Sequence, residues 1–208
     1  MNKILFIDLL TTGMHPERCG ICKIGGIFTE DGKEIQRFEF NVRPFRNALI
    51  RDESLNAGCI YRSELIYFPE EKEVFASFIE LLNKHVDAKN PLDKIYLAGF
   101  NAASFDTTFL REWFKRMNCD KFRDYFFVQT IDVMCLAAFA LMNERKSMPN
   151  FKIDSAARYL GINPRTSRKF SCLDNAETSL EIYRVLKVRF HLGEAGERRK
   201  TDNVIKNF

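Results

Sequence analysis

The chain has 208 residues, of which 46% are hydrophobic and 13% aromatic, and its formal net charge is +4. This size and apolar content favour one domain around one core, and the mild basic charge permits a polyanionic partner without requiring one. No apolar run approaches the roughly 18 residues that cross a membrane, and the N-terminus lacks a signal-peptide pattern, so we expect no membrane partner. The six scattered cysteines indicate reduced thiols and a cytoplasmic location.

The first predicted elements are three strands. An apolar run starting at Lys3 forms a buried strand with Asp8 at its carboxyl end, and a Thr-Thr-Gly turn follows. Strand-like runs at 21–29 and 34–42 flank an Asp-Gly pair, which predicts a hairpin and hence an antiparallel meander. Ligand sites of α/β sheets lie at carboxyl strand ends, so Asp8 is a candidate for chemistry. The alternative is an aspartate that only bonds the turn amides.

Helices and one further strand fill the rest of the chain. The helix predicted from residue 69 to about 85 rests on apolar residues at intervals of three and four. A buried strand at 95–99 leads through a turn to Asp106 and a helix, where Asp106 is either a second candidate for chemistry or a helix N-cap. Further helices are predicted at 52–57, 132–142 with Asp132 as N-cap, 153–160, and 173–190.

One cluster of potential metal ligands occurs early in the chain. His15, Cys19 and Cys22 would supply three zinc ligands, but a closed structural site needs four. No second Cys or His cluster follows, so ordinary thiols are the favoured interpretation over zinc.

Three stretches, residues 6–13, 99–110 and 170–178, resemble the three ordered motifs of the DEDD 3′–5′ exonucleases. Their order and spacing agree over roughly residues 1–190. The resemblance implies an α/β fold with a ribonuclease H-like mixed five-stranded sheet, flanked by helices and beginning with the three-stranded antiparallel meander. It also implies an exonuclease-like domain over 1–192, followed by a polar tail at 193–208.

The chain departs from this family's pattern at the positions that carry its chemistry. The family holds two divalent metals with four carboxylates and uses a histidine as general base. By resemblance, Asp8 and Asp106 occupy two carboxylate positions and are the residual catalytic and metal-binding residues. The other positions hold Leu10, Asn175 and Phe170. Leucine cannot bind a metal and an Asn oxygen is uncharged, so at most a weak single Mg²⁺ or Mn²⁺ site is expected.

The resemblance also suggests residues that contact nucleic acid, although a solvated loop position is the favoured interpretation for any single basic one. Phe100 and Phe170 either stack on a base or close the emptied site with apolar packing. The candidate nucleic-acid-binding residues are Thr11, Thr12, Asn101, Phe105, Arg165, Arg168 and Lys169.

These departures leave three functional hypotheses. The favoured one is a catalytically impaired or inactive exonuclease fold that binds a single-stranded nucleic-acid end or a protein partner. The second is an active, metal-dependent 3′–5′ exonuclease on single-stranded DNA or RNA that uses the residual metal site. The third is a purely structural subunit that binds no nucleic acid.

Overall fold

A computed structural model describes residues 2–164 and 170–190. These residues contain a five-stranded mixed sheet with the strand order β3-β2-β1-β4-β5. The first three strands are antiparallel neighbours, whereas β4 runs parallel to β1 and β5 parallel to β4. The predicted ribonuclease H-like α/β class is therefore confirmed. The strands are β1 (Lys3–Thr11), β2 (Ile21–Glu30), β3 (Lys33–Asn41), β4 (Ile95–Gly99) and β5 (Ile131–Asp132).

The hairpin between β2 and β3 forms because its two-residue turn meets a strict backbone requirement. Asp31 and Gly32 both have positive φ angles, of 47° and 81°. Such turns match the right-handed twist of the flanking strands, and Asp-Gly is among the pairs that adopt them most readily. The meander thus forms where the sequence predicts it.

Seven α-helices cover the two faces of the sheet within the described residues, with short 3-10 helices at Arg62–Tyr67 and Arg145–Ser147. They are α1 (Asp52–Ala57), α2 (Glu71–His85), α3 (Asp106–Arg116), α4 (Phe122–Tyr125), α5 (Val133–Ala140), α6 (Ile153–Tyr159) and α7 (Cys172–Arg189).

Alternate residues of β1 divide the core between the two faces, as the two-residue period of a strand requires. Leu5, Ile7 and Leu9 pack with α2 and α3, around the fully buried Trp113. Ile4 and Phe6 pack with α5, α6 and α7 on the other face. Asp8 and Leu10 continue this second set, so they lie on the face that α7 covers.

Several sequence predictions differ in detail from the structure. The helix expected from residue 69 begins at Glu71, after Glu70 as N-cap. The two-residue strand β5 and the four-residue helix α4 were not predicted, because neither is long enough to show a periodicity.

Other predictions fall on residues outside the described ranges. Arg165, Arg168 and Lys169 are among them, as is the tail at 193–208, so the division at residue 192 stays a prediction. Within residues 2–164 and 170–190, no helix has the length and apolar character needed to cross a membrane.

Candidate functional site

Asp8 lies beside the first turns of α7, three residues before the end of β1, so this strand extends beyond the end predicted at Asp8. Its Oδ2 accepts a hydrogen bond of 3.2 Å from Nδ2 of Asn175. The Cys172 thiol also interacts with this carboxylate. Asp8 therefore bonds to side chains of α7, and the interpretation that it only bonds the turn amides does not describe these contacts.

Asp106 reaches the same strand end from the opposite side. It is the first residue of α3, whose N-cap is Phe105, and it is only 3% exposed. Its Oδ1 accepts a bond of 2.9 Å from the backbone N–H of Leu9, the residue next to Asp8. The interpretation of Asp106 as an N-cap is therefore wrong, and the structure brings the two aspartates together.

Burial changes the charge that these two carboxyls carry. It raises the pKa of Asp8, an effect that the hydrogen bonds from Asn175 and Cys172 partly oppose. Burial also raises the pKa of Asp106 well above its ordinary value, and the negative charge of Asp8 raises it further. Two like charges in one poorly solvated place disfavour full ionisation, and a bound cation would favour it.

Leu10 occupies an apolar cluster that closes the site on one side. The cluster contains Leu10, Leu55 and Leu65, and the half-buried Phe170 packs against it. A Cβ placed on Gly58 would lie 2.0 Å from a methyl carbon of Leu10, so this side chain lies directly on the glycine backbone. Phe170 thus makes the apolar contact that the sealing alternative requires, and its role at the site stays a prediction. Phe100, by contrast, packs against the cluster that Ile4 and Phe6 form with α5, α6 and α7. Its ring centroid lies 6.2 Å from that of Phe151.

Gly25 allows α7 to approach the sheet closely enough for the contact between Asn175 and Asp8. Gly25 is the cross-strand partner of Asp8 on β2. A Cβ at this position would lie 2.6 Å from the backbone nitrogen of Leu173 and 2.9 Å from Cys172. Only a residue without a side chain fits there, because the helix backbone fills the space.

The two threonines that follow β1 are engaged within the protein. The Thr11 hydroxyl donates to the Gly13 carbonyl over 2.6 Å, and the Thr12 hydroxyl donates to Leu49 O over 2.6 Å. The Thr12 amide donates to Gly20 O over 2.8 Å. These bonds fix the turn, and they occupy the backbone amide of Thr12, one of the predicted nucleic-acid-binding residues.

Asn101 and Phe105 shape the turn between β4 and α3. Asn101 has a φ of 68°, and its carbonyl accepts from the amide of Phe105. The Phe105 ring lies 4.9 Å from that of Phe109 and packs against the core around Trp113. Both residues border the site next to Asp106, so they remain candidates for nucleic-acid contact.

Asp132 has a structural role that extends beyond its predicted N-cap. Its carboxylate accepts from the amides of Met134 and Cys135 at the start of α5, which confirms the cap. It also accepts from the amides of Asn101 and Ala103, each over 3.1 Å. One side chain thus joins the turn before α3 to the start of α5. Sequence spacing gave no signal for these long-range bonds.

The residues present do not fit a paired-metal centre. Within residues 2–164 and 170–190, no group of three or more His, Cys, Asp or Glu side chains is placed to hold a metal ion. The structure therefore gives no geometric support to the zinc alternative for His15, Cys19 and Cys22. Cys19 packs in the core cluster around Trp113, and Cys22 packs in the cluster around Leu10. Glu177, two residues after Asn175 and thus on a different side of α7, pairs with Arg37 on β3 over 3.1 Å. Asp8 and Asp106, the two predicted metal-binding carboxylates, lie near each other, and the negative charge of Asp132 also acts on Asp106.

A mixed sheet of this order with helices on both faces is an α/β architecture, in which ligand sites are expected at the carboxyl ends of strands. A family model described as an exonuclease, RNase T, matches residues 5–183. The chain belongs to this exonuclease family, and the resemblance to DEDD 3′–5′ exonucleases is confirmed.

Similar proteins include two bacterial polymerases. The chain is 27% identical over 179 residues to a PolC-type DNA polymerase III of Thermotoga petrophila, covering 85% of this chain and 11% of the polymerase. The same polymerase type from Thermotoga maritima is 27% identical over 178 residues, again covering 85% of this chain and 11% of the polymerase. The chain therefore spans only a small part of the length of these relatives.

Solved structures of exonuclease I share the fold. A product-bound exonuclease I has a TM-score of 0.72 at 19% identity, with 92% of this chain and 45% of that chain covered. Escherichia coli exonuclease I in complex with a dT13 oligonucleotide has a TM-score of 0.74 at 19% identity, covering 92% and 42%. At this identity the likeness concerns the fold alone.

Proposed function

We propose that this chain is a catalytically impaired or inactive exonuclease-fold protein that binds a nucleic-acid end or a protein partner. The observation that carries the proposal is the packing of Leu10. It stands where the family has a metal-binding glutamate, and it lies on Gly58 within an apolar cluster. Among the described residues, the members of that cluster are apolar side chains and thiols, and none of them supplies the carboxylate that the family has there.

The other two departures support the same conclusion. Asn175 donates its amide N–H to Asp8, which is a bond that a carboxylate at this position could not make when ionised. Phe170 offers no group that takes a proton, and loss of a general base alone costs about 10²–10⁴ in rate. Loss of a metal site that activates water also lowers the reaction rate, although the two effects on the rate do not simply add.

A nucleic-acid end is the ligand that the family membership favours. Exonuclease I is described in complex with dT13, and a further neighbour is described as a complex of exonuclease I with the SSB C-terminus. The net charge of +4 is compatible with a polyanion. A single-stranded end and a protein partner are therefore the two ligands to test.

The test is binding of labelled single-stranded DNA and RNA at low salt, in EDTA, followed by fluorescence anisotropy. We expect binding that weakens with salt, and weaker binding of oligonucleotides whose 3′ end is blocked by a phosphate. Equal binding of blocked and free ends would contradict recognition of an end. An absence of binding to both DNA and RNA would leave the protein-interaction module.

A second candidate function rests on the proximity of Asp8 and Asp106. Magnesium often binds through one or two carboxylates together with water and phosphate oxygens. A weak single Mg²⁺ or Mn²⁺ site at these two residues would support a slow 3′–5′ exonuclease on single-stranded DNA or RNA. A metal-dependent nuclease assay separates this function from the inactive module.

A further inference from the structure

The segment 170–173 connects directly to the candidate site. It contains Phe170, which seals the site, and Cys172, whose thiol interacts with Asp8. It also contains Ser171, the N-cap of α7, whose hydroxyl accepts from the amide of Asp174 over 3.2 Å. The placement of this segment sets where α7 begins, and hence where Asn175 lies.

Glu39 on β3 holds the start of α7 through a tertiary contact. Its Oε1 accepts from the Ser171 hydroxyl over 2.9 Å and from the Leu173 amide over 3.0 Å. The Leu173 amide is one of the first helical N–H groups, which have no partner within the helix. A carboxylate at this end is also favoured by the helix dipole. Glu39 therefore acts as an additional cap, supplied by a different element of the fold.

Lys23 on β2 contacts the residues on either side of the N-cap Ser171, Phe170 and Cys172. Its Nζ donates to the Phe170 carbonyl over 3.3 Å, and the Cys172 thiol lies 3.8 Å from the Lys23 carbonyl. The same ammonium is 3.9 Å from Glu39 Oε2, with side chains 15% and 29% exposed. Partial burial limits the screening of this pair by solvent. Together, Lys23 and Glu39 contact all four residues of the segment.

The register of the strands explains why these two side chains meet there. Glu39 is the cross-strand partner of Gly25, and Gly25 is the partner of Asp8. Lys23 lies two residues from Gly25 on the same face of β2. Gly25 thus allows the helix to come close, and the charged side chains on either side of it determine the position at which it rests.

We propose that Lys23 and Glu39 are positioning residues, which hold segment 170–173 against the sheet and thereby place Asn175 on Asp8 and Phe170 on Leu10. This inference rests on the proposed function only in treating those residues as the site. It assigns the closed arrangement of the site to the hydrogen bonds that one side chain of β2 and one of β3 make with this segment, outside the three sequence motifs.

The reactivity of Cys172 tests this assignment without any nucleic acid. Cys172 is buried, so an aromatic disulfide reagent modifies it only when segment 170–173 opens. Cys19, buried in the opposite core cluster, provides an internal reference for global unfolding. Labelling under native conditions, followed by mass spectrometry of each cysteine peptide, gives both rates in one experiment.

Glu39→Leu removes both hydrogen-bond acceptors, whereas Glu39→Gln keeps a carbonyl oxygen. We expect Glu39→Leu to raise the Cys172 labelling rate about tenfold or more relative to Cys19, because charged hydrogen bonds are lost. Glu39→Gln should stay within about threefold of the wild-type labelling rate, because its carbonyl oxygen still accepts hydrogen bonds. The matched control is Glu34→Leu, which removes another carboxylate of β3 that pairs with Arg37.

The side-chain amide of Asn175 provides a second readout, by ¹⁵N NMR. Its resonances should shift in Glu39→Leu and return toward the wild-type positions in Glu39→Gln. If Glu39→Leu does not fold, Lys23→Met provides the same comparison, since it removes the contact with Phe170 O and leaves Glu39 in place. Unchanged Cys172 labelling, or a parallel rise at Cys172 and Cys19, would overturn the proposal. A failure to bind oligonucleotides would leave this result unaffected.

Discussion

The Asn175 side chain donates a hydrogen bond of 3.2 Å to the Asp8 carboxylate. In this family, an acidic side chain is expected at the Asn175 position, and two carboxylates there would need a cation between them. Here the side-chain N–H of Asn175 takes the place of such a cation, because it donates a hydrogen bond to Asp8 Oδ2. The contact places a hydrogen-bond donor, in place of a second carboxylate, beside Asp8.

The apolar cluster around Leu10 should resist a charged side chain. We predict that Leu10→Glu lowers the free energy of unfolding by about 3 kcal/mol, because an unpaired carboxylate is buried against Gly58 and Phe170. Urea denaturation measures this loss. The control is Leu92→Glu at a residue that is 84% exposed, where no significant change is expected. A Leu10→Glu variant as stable as the wild type would mean that the pocket accepts a charge.

Close packing at Gly25 should make that glycine more sensitive than a glycine in open space. Gly25→Ala places a methyl group 2.6 Å from the Leu173 nitrogen, so α7 has to move away. We predict a loss of about 1–3 kcal/mol and a shift of the Asn175 amide resonances.

The matched variant for this comparison is Gly32→Ala. Gly32 has a φ of 81° and no neighbouring atoms within 4 Å of an added Cβ, so only backbone strain contributes. We expect a cost of about 1 kcal/mol and unchanged Asn175 resonances. If the two alanine variants perturbed Asn175 equally, close packing at Gly25 would not be what places α7.

The contact between Lys3 and Asp93 should contribute to acid sensitivity. The hydrogen bond from Lys3 Nζ, of 2.6 Å, and the bond from the Asp87 amide lower the pKa of Asp93. A lowered folded-state pKa gives stability that is present above the unfolded value of about 4 and is lost as the pH falls through the folded value. Lys3→Met should therefore reduce the dependence of stability on pH below about 4.

Urea midpoints at pH 7 and pH 3 measure this difference. Lys89→Met, an exposed lysine of the neighbouring loop, is the control and should keep the wild-type dependence. A Lys3→Met variant with an unaltered pH dependence would show that the ion pair does not hold the Asp93 carboxylate in solution.

The sequence predicted the elements whose signals are local. Asp31 and Gly32 determine a hairpin by their own backbone preferences, and the apolar spacing of α2 and α7 follows from one turn to the next. Asp8 and Asp106 were found because each follows a strand, and because their motifs resemble a known family. The strand β5 was missed since two residues carry no periodicity.

The residues that arrange the site could not be found in the same way. Lys23, Gly25 and Glu39 lie on strands that carry no motif, and their meeting with α7 depends on strand register. Cys172 looked like one of several scattered thiols until the helix start placed it beside Asp8. These contacts depend on long-range packing, so local patterns in a single sequence do not predict them.

The most direct test of the central claim is a nuclease assay with 5′-labelled single-stranded DNA and RNA in Mg²⁺ or Mn²⁺. A variant combining Leu10→Glu, Asn175→Asp and Phe170→His serves as the comparison, since it restores the family's ligand set and general base. We predict no metal-dependent shortening by the wild-type chain and detectable shortening by the combined variant. A ladder from the wild-type chain that both EDTA and Asp8→Ala abolish would contradict the account.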